Sequence, residues 1–347
     1  MSDQSETQDQ SDIFRGVSDD IALSDSRSVK GTPASRAPAF ILGEELAALA
    51  DVDPRITVLT ADLASANRAV EFQARHPDRF FNFGIAEKNM LTAAAGMASC
   101  GLIPFAATFA SFCSILGAEQ IRTDCAYPNM PVRAIGTHSG ISMGFYGTSH
   151  HATEDLAMMR SISGLTTVCA TDANLLRAIL RASLDHPGAM YIRLGRGRDP
   201  EVYPEVPTDF AFGKAIRLRE GADLTIIATG SQVKPSLDAA EALAEKGRSV
   251  RVVDMHTVKP LDEDEVRAAA AETGAILTVE EHNVIGGLGS AVAEVLVDQP
   301  RLPFRRLGLR DEFSLIGPPA ALYAHYGLDA DGIAKSAGGL IAEAAKT

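Results

Sequence analysis

Residues 80–101 read FFNFGIAEKNMLTAAAGMASCG, and this stretch is the most informative one for the fold. The pattern predicts a helix between Gly84 and Gly101, since alanine, leucine and methionine favour helix and glycine often follows a helix end. Glu87 stands in the first turn of this helix, which is otherwise almost free of charge. A glutamate there commonly caps the helix or stabilises the positive end of its dipole. The other interpretation is a buried carboxylate with a chemical role.

Short apolar runs alternate with alanine-rich helical patterns on both sides of this helix, which predicts an α/β fold with parallel sheets covered by helices. Strands are predicted at 56–63, 103–109, 131–140, 165–172 and 189–195, with a further helix at 174–186. The same alternation continues beyond residue 221. There the predicted strands are 222–230, 249–258 and 275–282, and the predicted helices are 234–247, 262–274 and 289–299.

The composition is typical of a globular protein, because 46% of the 347 residues are hydrophobic and 22% are charged. Fibrous and fully disordered classes are excluded, and at roughly 100–200 residues per domain the length predicts two domains. Residues 1–35 are rich in serine, aspartate and glutamine, so we expect an acidic, mobile tail there. Three prolines and repeated changes of charge at 195–221 predict a linker at 201–221, between domains at 36–200 and 222–347.

Charge and cysteine content restrict the partners and the compartment. The 45 acidic and 32 basic residues give a formal net charge of −13, which disfavours nucleic acids and anionic membranes as partners. Neither a secretory leader nor a stretch of about 18 apolar residues is present, so we expect no secretion and no membrane span. The four cysteines form no CxxC pair, which indicates a reducing cytoplasm.

Two motifs in the first half carry side chains suited to chemistry. TFASF places Phe109 and Phe112 at the end of a predicted strand, either as core residues or as the lining of a pocket. THSGISMGFYGTSHHATED follows the next strand and brings His138, His150 and His151 into a glycine-rich segment. Such segments at the carboxyl ends of parallel strands are where α/β folds bind ligands. No metal site is expected, because no cysteine lies nearby in sequence and the HExxH pattern is absent.

Seven segments in order along the chain together resemble the transketolase family: DLASAN, FNFGIAEKNM, TFASF, THSGISMGFYGTSHH, YIRLGRG, ATGSQV and EEHNVIGGLGSAVAE. The chain is similar to the C-terminal two-thirds of that family, from about residue 36 onwards. The family's GDG motif with its downstream asparagine, which holds Mg²⁺ and the cofactor diphosphate, is missing. The resemblance implies the second subunit of a split transketolase, with a pyrimidine-binding domain at 36–200 and a transketolase C-terminal domain at 222–347.

The resemblance implies thiamine diphosphate as the cofactor, with its pyrimidine end bound by this chain. Glu87 matches the glutamate beside N1′ of the aminopyrimidine, where a carboxyl group of raised pKa shares a proton and drives formation of the imine. Phe109 and Phe112 match aromatic residues that line the pyrimidine pocket, and Ile115 replaces a third ring. Asp62 matches an acidic position near the cofactor at the subunit interface, although aspartate is also common in turns.

Other matched residues would contact the substrate. His138 matches a histidine near the sugar phosphate, and His150 matches a catalytic one at the reacting end of the cofactor; either can donate to developing oxygen charge. Arg36 and Arg196 match positions that hold the substrate phosphate, which suits the guanidinium fork. Tyr146 replaces an aspartate that usually binds a sugar hydroxyl, so the donor and acceptor sugars stay open.

The implied activity is transfer of a two-carbon ketol unit from a ketose phosphate to an aldose phosphate. The site would be shared with a partner subunit that carries the diphosphate-binding domain and Mg²⁺, in an α2β2 assembly. Three alternatives stay open: half of a 1-deoxyxylulose-5-phosphate synthase, a 2-oxoacid dehydrogenase E1 β subunit, and a non-catalytic assembly subunit. Retention of Glu87 argues against the last, because an unused buried carboxyl group costs stability.

Overall fold

The computed structural model describes residues 38–196, 200–299 and 301–346, so the predicted tail at 1–35 lies outside the described residues. Six strands and six α-helices form the first part of the described chain. The strands are β1 (Ile56–Thr60), β2 (Phe80–Asn82), β3 (Ile103–Phe109), β4 (Arg133–Thr137), β5 (Thr166–Cys169) and β6 (Met190–Arg193). The helices are α1 (Pro38–Ala50), α2 (Val70–Arg75), α3 (Glu87–Ser99), α4 (Ala118–Gln120), α5 (Asp155–Ser161) and α6 (Ala173–Ser183).

The second part of the described chain contributes six more strands and five more α-helices. The strands are β7 (Ile216–Arg219), β8 (Leu224–Ala228), β9 (Val250–Asp254), β10 (Thr257–Lys259), β11 (Ile276–Asn283) and β12 (Phe304–Leu309). The helices are α7 (Val233–Ala244), α8 (Glu263–Glu272), α9 (Leu288–Leu296), α10 (Pro319–Tyr326) and α11 (Ala330–Ala344). Two π-helical turns, Phe112–Leu116 and Ile121–Ala126, flank α4.

The strands form two mainly parallel sheets, which confirms the predicted α/β class. The first sheet has the order β10-β5-β6-β4-β3-β1-β2, and only β10 is antiparallel to its neighbour. The second has the order β12-β11-β8-β9-β7, and only β7 is antiparallel. Strands β1, β3 and β4 are buried along their whole length, because α1 and α6 cover one face of the first sheet and α3 covers the other.

Two strand assignments differ from the expectation. The prediction of one strand at 249–258 is wrong, because the chain leaves the second sheet after Asp254 and joins the first sheet as β10. Two backbone bonds mark the crossing: Met255 N–H donates to Ala228 at 2.8 Å, and the His256 carbonyl accepts from Cys169 N–H at 2.7 Å. The stretch predicted as a linker, 201–221, contains β7, which pairs with β9 and forms one edge of the second sheet. A sequence pattern shows that a segment is extended but does not show which sheet it joins.

Glu281 on β11 ties the second sheet to the first part of the chain. Arg193 at the end of β6 donates to the Glu281 backbone oxygen at 2.9 Å. The Glu281 carboxylate accepts hydrogen bonds at 2.7–2.8 Å from Ile141 N–H, the Ser231 hydroxyl and the Tyr323 hydroxyl. Burial raises the pKa of Glu281, and the Arg193 charge and these donors oppose that rise. The donors make a buried carboxylate tolerable and fix the two parts against each other.

Asp254, the last residue of β9, carries a second buried carboxyl group between the two parts of the chain. Its Oδ2 accepts hydrogen bonds from the Thr171 hydroxyl at 2.6 Å and the Tyr203 hydroxyl at 2.8 Å. Its Oδ1 has no hydrogen-bond partner among the described residues. Burial raises the pKa of Asp254 to about 7 against the effect of the two hydroxyls, and the nearby Asp172 charge adds to the rise.

We expect Asp254→Asn to stabilise the chain much more at pH 8 than at pH 5. The folded carboxyl group keeps its proton up to about pH 7, whereas the unfolded one loses it at about pH 4. The contribution of Asp254 to the free energy of unfolding therefore falls as the pH rises from about 4 to about 7, by at most ~4 kcal/mol. Urea unfolding of both proteins at the two pH values measures the difference. Equal effects at both pH values would contradict the assignment.

Candidate active site

The predicted site residues lie along one edge of the first sheet. Parallel neighbours in the order β6-β4-β3-β1-β2 end at this edge, and one of these residues stands at the end of each strand or in the segment that follows it. From one end of the edge to the other they are Arg196, His138, Phe109, Asp62 and Glu87. The crevice outside the carboxyl ends of parallel strands is the usual ligand site of open α/β sheets. The topology thus brings together residues that are far apart in sequence.

Glu87 is the first residue of α3 and is only 6% exposed. The helix has no side-chain cap at Ala86, and no described side chain or backbone group donates a hydrogen bond to the Glu87 carboxylate. The carboxylate lies close enough to Cys113 to help raise the pKa of that thiol, although burial is the larger cause. A buried carboxylate without a donor is costly, so the geometry favours a ligand that supplies one.

Aromatic and imidazole rings cluster at the same end of the first sheet. The Phe109 ring is 4.5 Å from the His138 ring and 5.6 Å from the Phe112 ring, centroid to centroid. The His150 ring is 5.2 Å from Phe112 and 5.0 Å from Tyr146. Tilted and edge-on contacts at these distances are favourable for aromatic rings. The Phe109 ring packs beside both histidines, and the Phe112 ring packs beside His150.

His138 and His150 occupy different environments. Burial, followed by the charges of Arg196 and His150, lowers the pKa of His138 to about 4, so its ring is neutral at pH 7. His150 is only partly buried, and its Nδ1 lies 2.9 Å from the Ser149 hydroxyl. The adjacent His151 points away from this cluster: its Nδ1 is 2.5 Å from the Ser314 hydroxyl and its Nε2 donates to the Gly144 carbonyl at 3.1 Å. His151 therefore anchors the loop to the second part of the chain.

Other predicted residues stand at the rim of the site. Asp62 has a φ of +58°, and its backbone N–H donates to Asn82 Oδ1 at 3.0 Å, so the ends of β1 and β2 are linked. Ile115 and Tyr146 are more than half exposed. Arg196 is exposed and donates to the Ser142 carbonyl at 3.4 Å. Arg36 lies outside the described residues.

Sequence reasoning missed two polar residues beneath the site, Asn67 and Thr137. Both are fully buried, and the Thr137 hydroxyl donates to Asn67 Oδ1 at 2.7 Å. Asn67 belongs to the DLASAN segment, and Thr137 directly precedes His138. A polar residue at the last position of a buried strand was the available signal. Within the described ranges, no group of three or more His, Cys, Asp or Glu side chains could hold a metal ion, and no helix is long and apolar enough to cross a membrane.

Comparisons with known proteins match the whole architecture. Residues 37–200 match the family described as transketolase, pyrimidine binding domain, and residues 213–333 match transketolase, C-terminal domain. A 6-deoxy-6-sulfo-D-fructose transketolase subunit, SqwH, of Clostridium sp. (strain MSTE9) is 42% identical over 289 residues, which cover 83% of this chain and 89% of that protein. A solved structure described as a split gene transketolase, inactive beta4 tetramer, is 40% identical to this chain, with a TM-score of 0.81. The match covers 88% of this chain and 98% of the chain in that structure.

A longer enzyme also matches. The 1-deoxy-D-xylulose-5-phosphate synthase of Syntrophotalea carbinolica (strain DSM 2380 / NBRC 103641 / GraBd1) is 36% identical over 327 residues. The match covers 93% of this chain but only 51% of the synthase. The chain is thus similar in length to the proteins whose names describe subunits and corresponds to about half of the single-chain synthase.

Proposed function

The chain belongs to the transketolase family, and we propose that it is the subunit that binds the pyrimidine end of thiamine diphosphate in a split transketolase. One observation carries this proposal: the Glu87 side chain is buried, lacks a hydrogen-bond donor among the described residues, and lies near enough to Cys113, the residue after Phe112, to act on its thiol. The aminopyrimidine has a ring nitrogen that can share a proton with a carboxyl group and a flat ring that can pack on phenylalanine. The residues present therefore fit that end of the cofactor.

The bound cofactor supplies an electron sink for carbanion chemistry. The residues of this chain supply the environment. Glu87 would hold a proton at N1′, and Phe109 and Phe112 would orient the ring and exclude water from it. His150, on the partly exposed side of the aromatic cluster, would hydrogen-bond to oxygen atoms at the reacting end of the substrate.

The substrate is proposed to be a sugar phosphate. Arg196 lies exposed at the end of the edge opposite Glu87, where its guanidinium group can bind a phosphate by a forked pair of hydrogen bonds. Arg36 stays a prediction for the same role. The exposed Tyr146 ring packs on His150 and would contact the sugar beside the reacting carbon. Asp62 and Ile115 would border the cofactor at the interface with the partner.

The partner is proposed to be a second chain that carries the diphosphate-binding domain, since the GDG motif is missing from this sequence. That chain would hold the diphosphate and Mg²⁺ and would complete the site in an α2β2 assembly. The names of the 42% and 40% identical relatives describe a subunit and a split-gene protein, which supports this arrangement.

The test is reconstitution. We expect no ketol transfer from fructose 6-phosphate to ribose 5-phosphate by either purified subunit alone, and transfer by the mixture with thiamine diphosphate and Mg²⁺. Light scattering of the mixture measures the stoichiometry. Full activity of this chain alone would refute the shared site. Pyruvate decarboxylation by the mixture without ketol transfer would favour the synthase or the 2-oxoacid dehydrogenase alternative.

A further inference from the structure

A cavity of about 570 Å³ lies between the two parts of the chain. It is bounded by α5 of the first part, by β10 and the turn that follows it, and by α8 and α9 of the second part. None of its lining residues belongs to the candidate active site. Sites for small molecules typically have volumes of roughly 300–1,000 Å³. The cavity is therefore large enough for a small organic ligand.

Lys259, the last residue of β10, stands on the wall of this cavity with an unpaired charge. Its ammonium group has three N–H donors, and one of them donates to the Ile162 carbonyl oxygen. The other two have no hydrogen-bond partner among the described residues. Burial lowers the pKa of this half-buried lysine, the charge of Arg160 adds to the decrease, and no described carboxylate opposes it. An anion that accepted the two N–H groups would supply the missing counter-charge.

The other two cations of the lining are already paired with carboxylates. Arg160 donates to the two carboxylate oxygens of Glu294 at 3.1 Å and 2.7 Å, and Arg267 donates to Glu263 at 2.6 Å. A third carboxylate, that of Asp298, also lines the cavity. The ammonium group on β10 is thus the one cation without a counter-charge among the described lining residues. The acidic groups around it disfavour an anion that carries two charges, such as phosphate.

The rest of the wall is largely apolar. Val258 and Ala291 are buried, and Leu261 and Val295 pack against the core beneath α8 and α9. We propose that this cavity binds a small aliphatic monocarboxylate, whose carboxylate pairs with Lys259 and whose chain packs on these apolar side chains. One negative charge matches one ammonium group, and each methylene group removed from water adds to the affinity.

The first experiment titrates the full chain, carrying ¹³C-labelled lysine, with hexanoate. The Lys259 signal is identified by its loss in Lys259→Arg. We expect a saturable shift of this signal with a Kd of about 1 mM or tighter, and a higher pKa of Lys259 in the bound state. Acetate has four fewer methylene groups and should bind at least about 10-fold more weakly. A Lys259 signal that hexanoate does not move would overturn the proposal, as would equally tight binding of inorganic phosphate.

The second experiment compares variants by calorimetric titration with hexanoate. Lys259→Met keeps the apolar stem but removes the charge, so it should weaken binding at least about 10-fold, the effect of one charge-assisted hydrogen bond. Lys234→Met is the matched control and should bind normally, because Lys234 is 33% exposed, pairs with Asp238 on α7 and does not line the cavity. Equal affinities of the wild-type chain and Lys259→Met would overturn the proposal. Both experiments use this chain alone, so their outcome does not depend on ketol transfer by the mixture.

Discussion

Replacing Glu87 with glutamine is expected to lower ketol transfer by the reconstituted enzyme roughly 10²- to 10⁴-fold, the usual contribution of a positioned proton-transfer group. Glutamine preserves the size of the side chain but cannot exchange a proton with a ring nitrogen. The free energy of unfolding should not fall, since no described group donates a hydrogen bond to the carboxylate and its burial without a donor is costly. Initial rates and urea unfolding of the same preparations measure both quantities.

A matched control separates proton transfer from helix stabilisation. Glu263 is the first residue of α8, as Glu87 is of α3, but it is 56% exposed and pairs with Arg267 at 2.6 Å. Glu263→Gln removes the same charge from the same helical position, so it should leave the rate of ketol transfer unchanged. An unchanged rate in Glu87→Gln would support the non-catalytic assembly subunit.

Local sequence patterns predicted the elements that local interactions determine. The predicted helix between Gly84 and Gly101 is observed as α3, and the predicted strand at 103–109 is observed as β3. Glycine at the ends and uninterrupted apolar residues are strong local signals. The short strand β2 (Phe80–Asn82) was not predicted, because three residues are too few to show a period.

Contacts between distant residues could not be predicted in the same way. Asn67 and Thr137 are 70 positions apart, and their hydrogen bond depends on how β1, β3 and β4 are ordered in the sheet. The sequence identified His138, the residue after Thr137, but not these two polar residues. The placement of β10 in the first sheet could not be predicted for the same reason. A three-residue strand pairs with the sheet edge that the tertiary structure brings next to it.

The buried ion pair between Arg193 and Asp155 should be the most sensitive point of the first sheet. The Asp155 carboxylate accepts from Arg193 Nε at 2.7 Å, from Arg193 Nη2 at 3.1 Å and from the Tyr191 hydroxyl at 2.8 Å. Both charged side chains are at most 3% exposed. Asp155→Asn is expected to cost about 3–5 kcal/mol of unfolding free energy, because it removes the only carboxylate that is hydrogen-bonded to the buried guanidinium among the described residues.

Two comparisons make this expectation specific to the buried pair. Asp264→Asn removes a carboxylate that is 82% exposed and 3.4 Å from Lys214, and such surface pairs contribute ~0–1 kcal/mol. Asp155→Leu combined with Arg193→Met should recover much of the loss, since removing both charges leaves neither one buried alone. Urea unfolding of the four proteins measures these differences. A loss below about 1 kcal/mol in Asp155→Asn would contradict this expectation. It would mean that water or another group accepts the hydrogen bonds of Arg193 and compensates its charge.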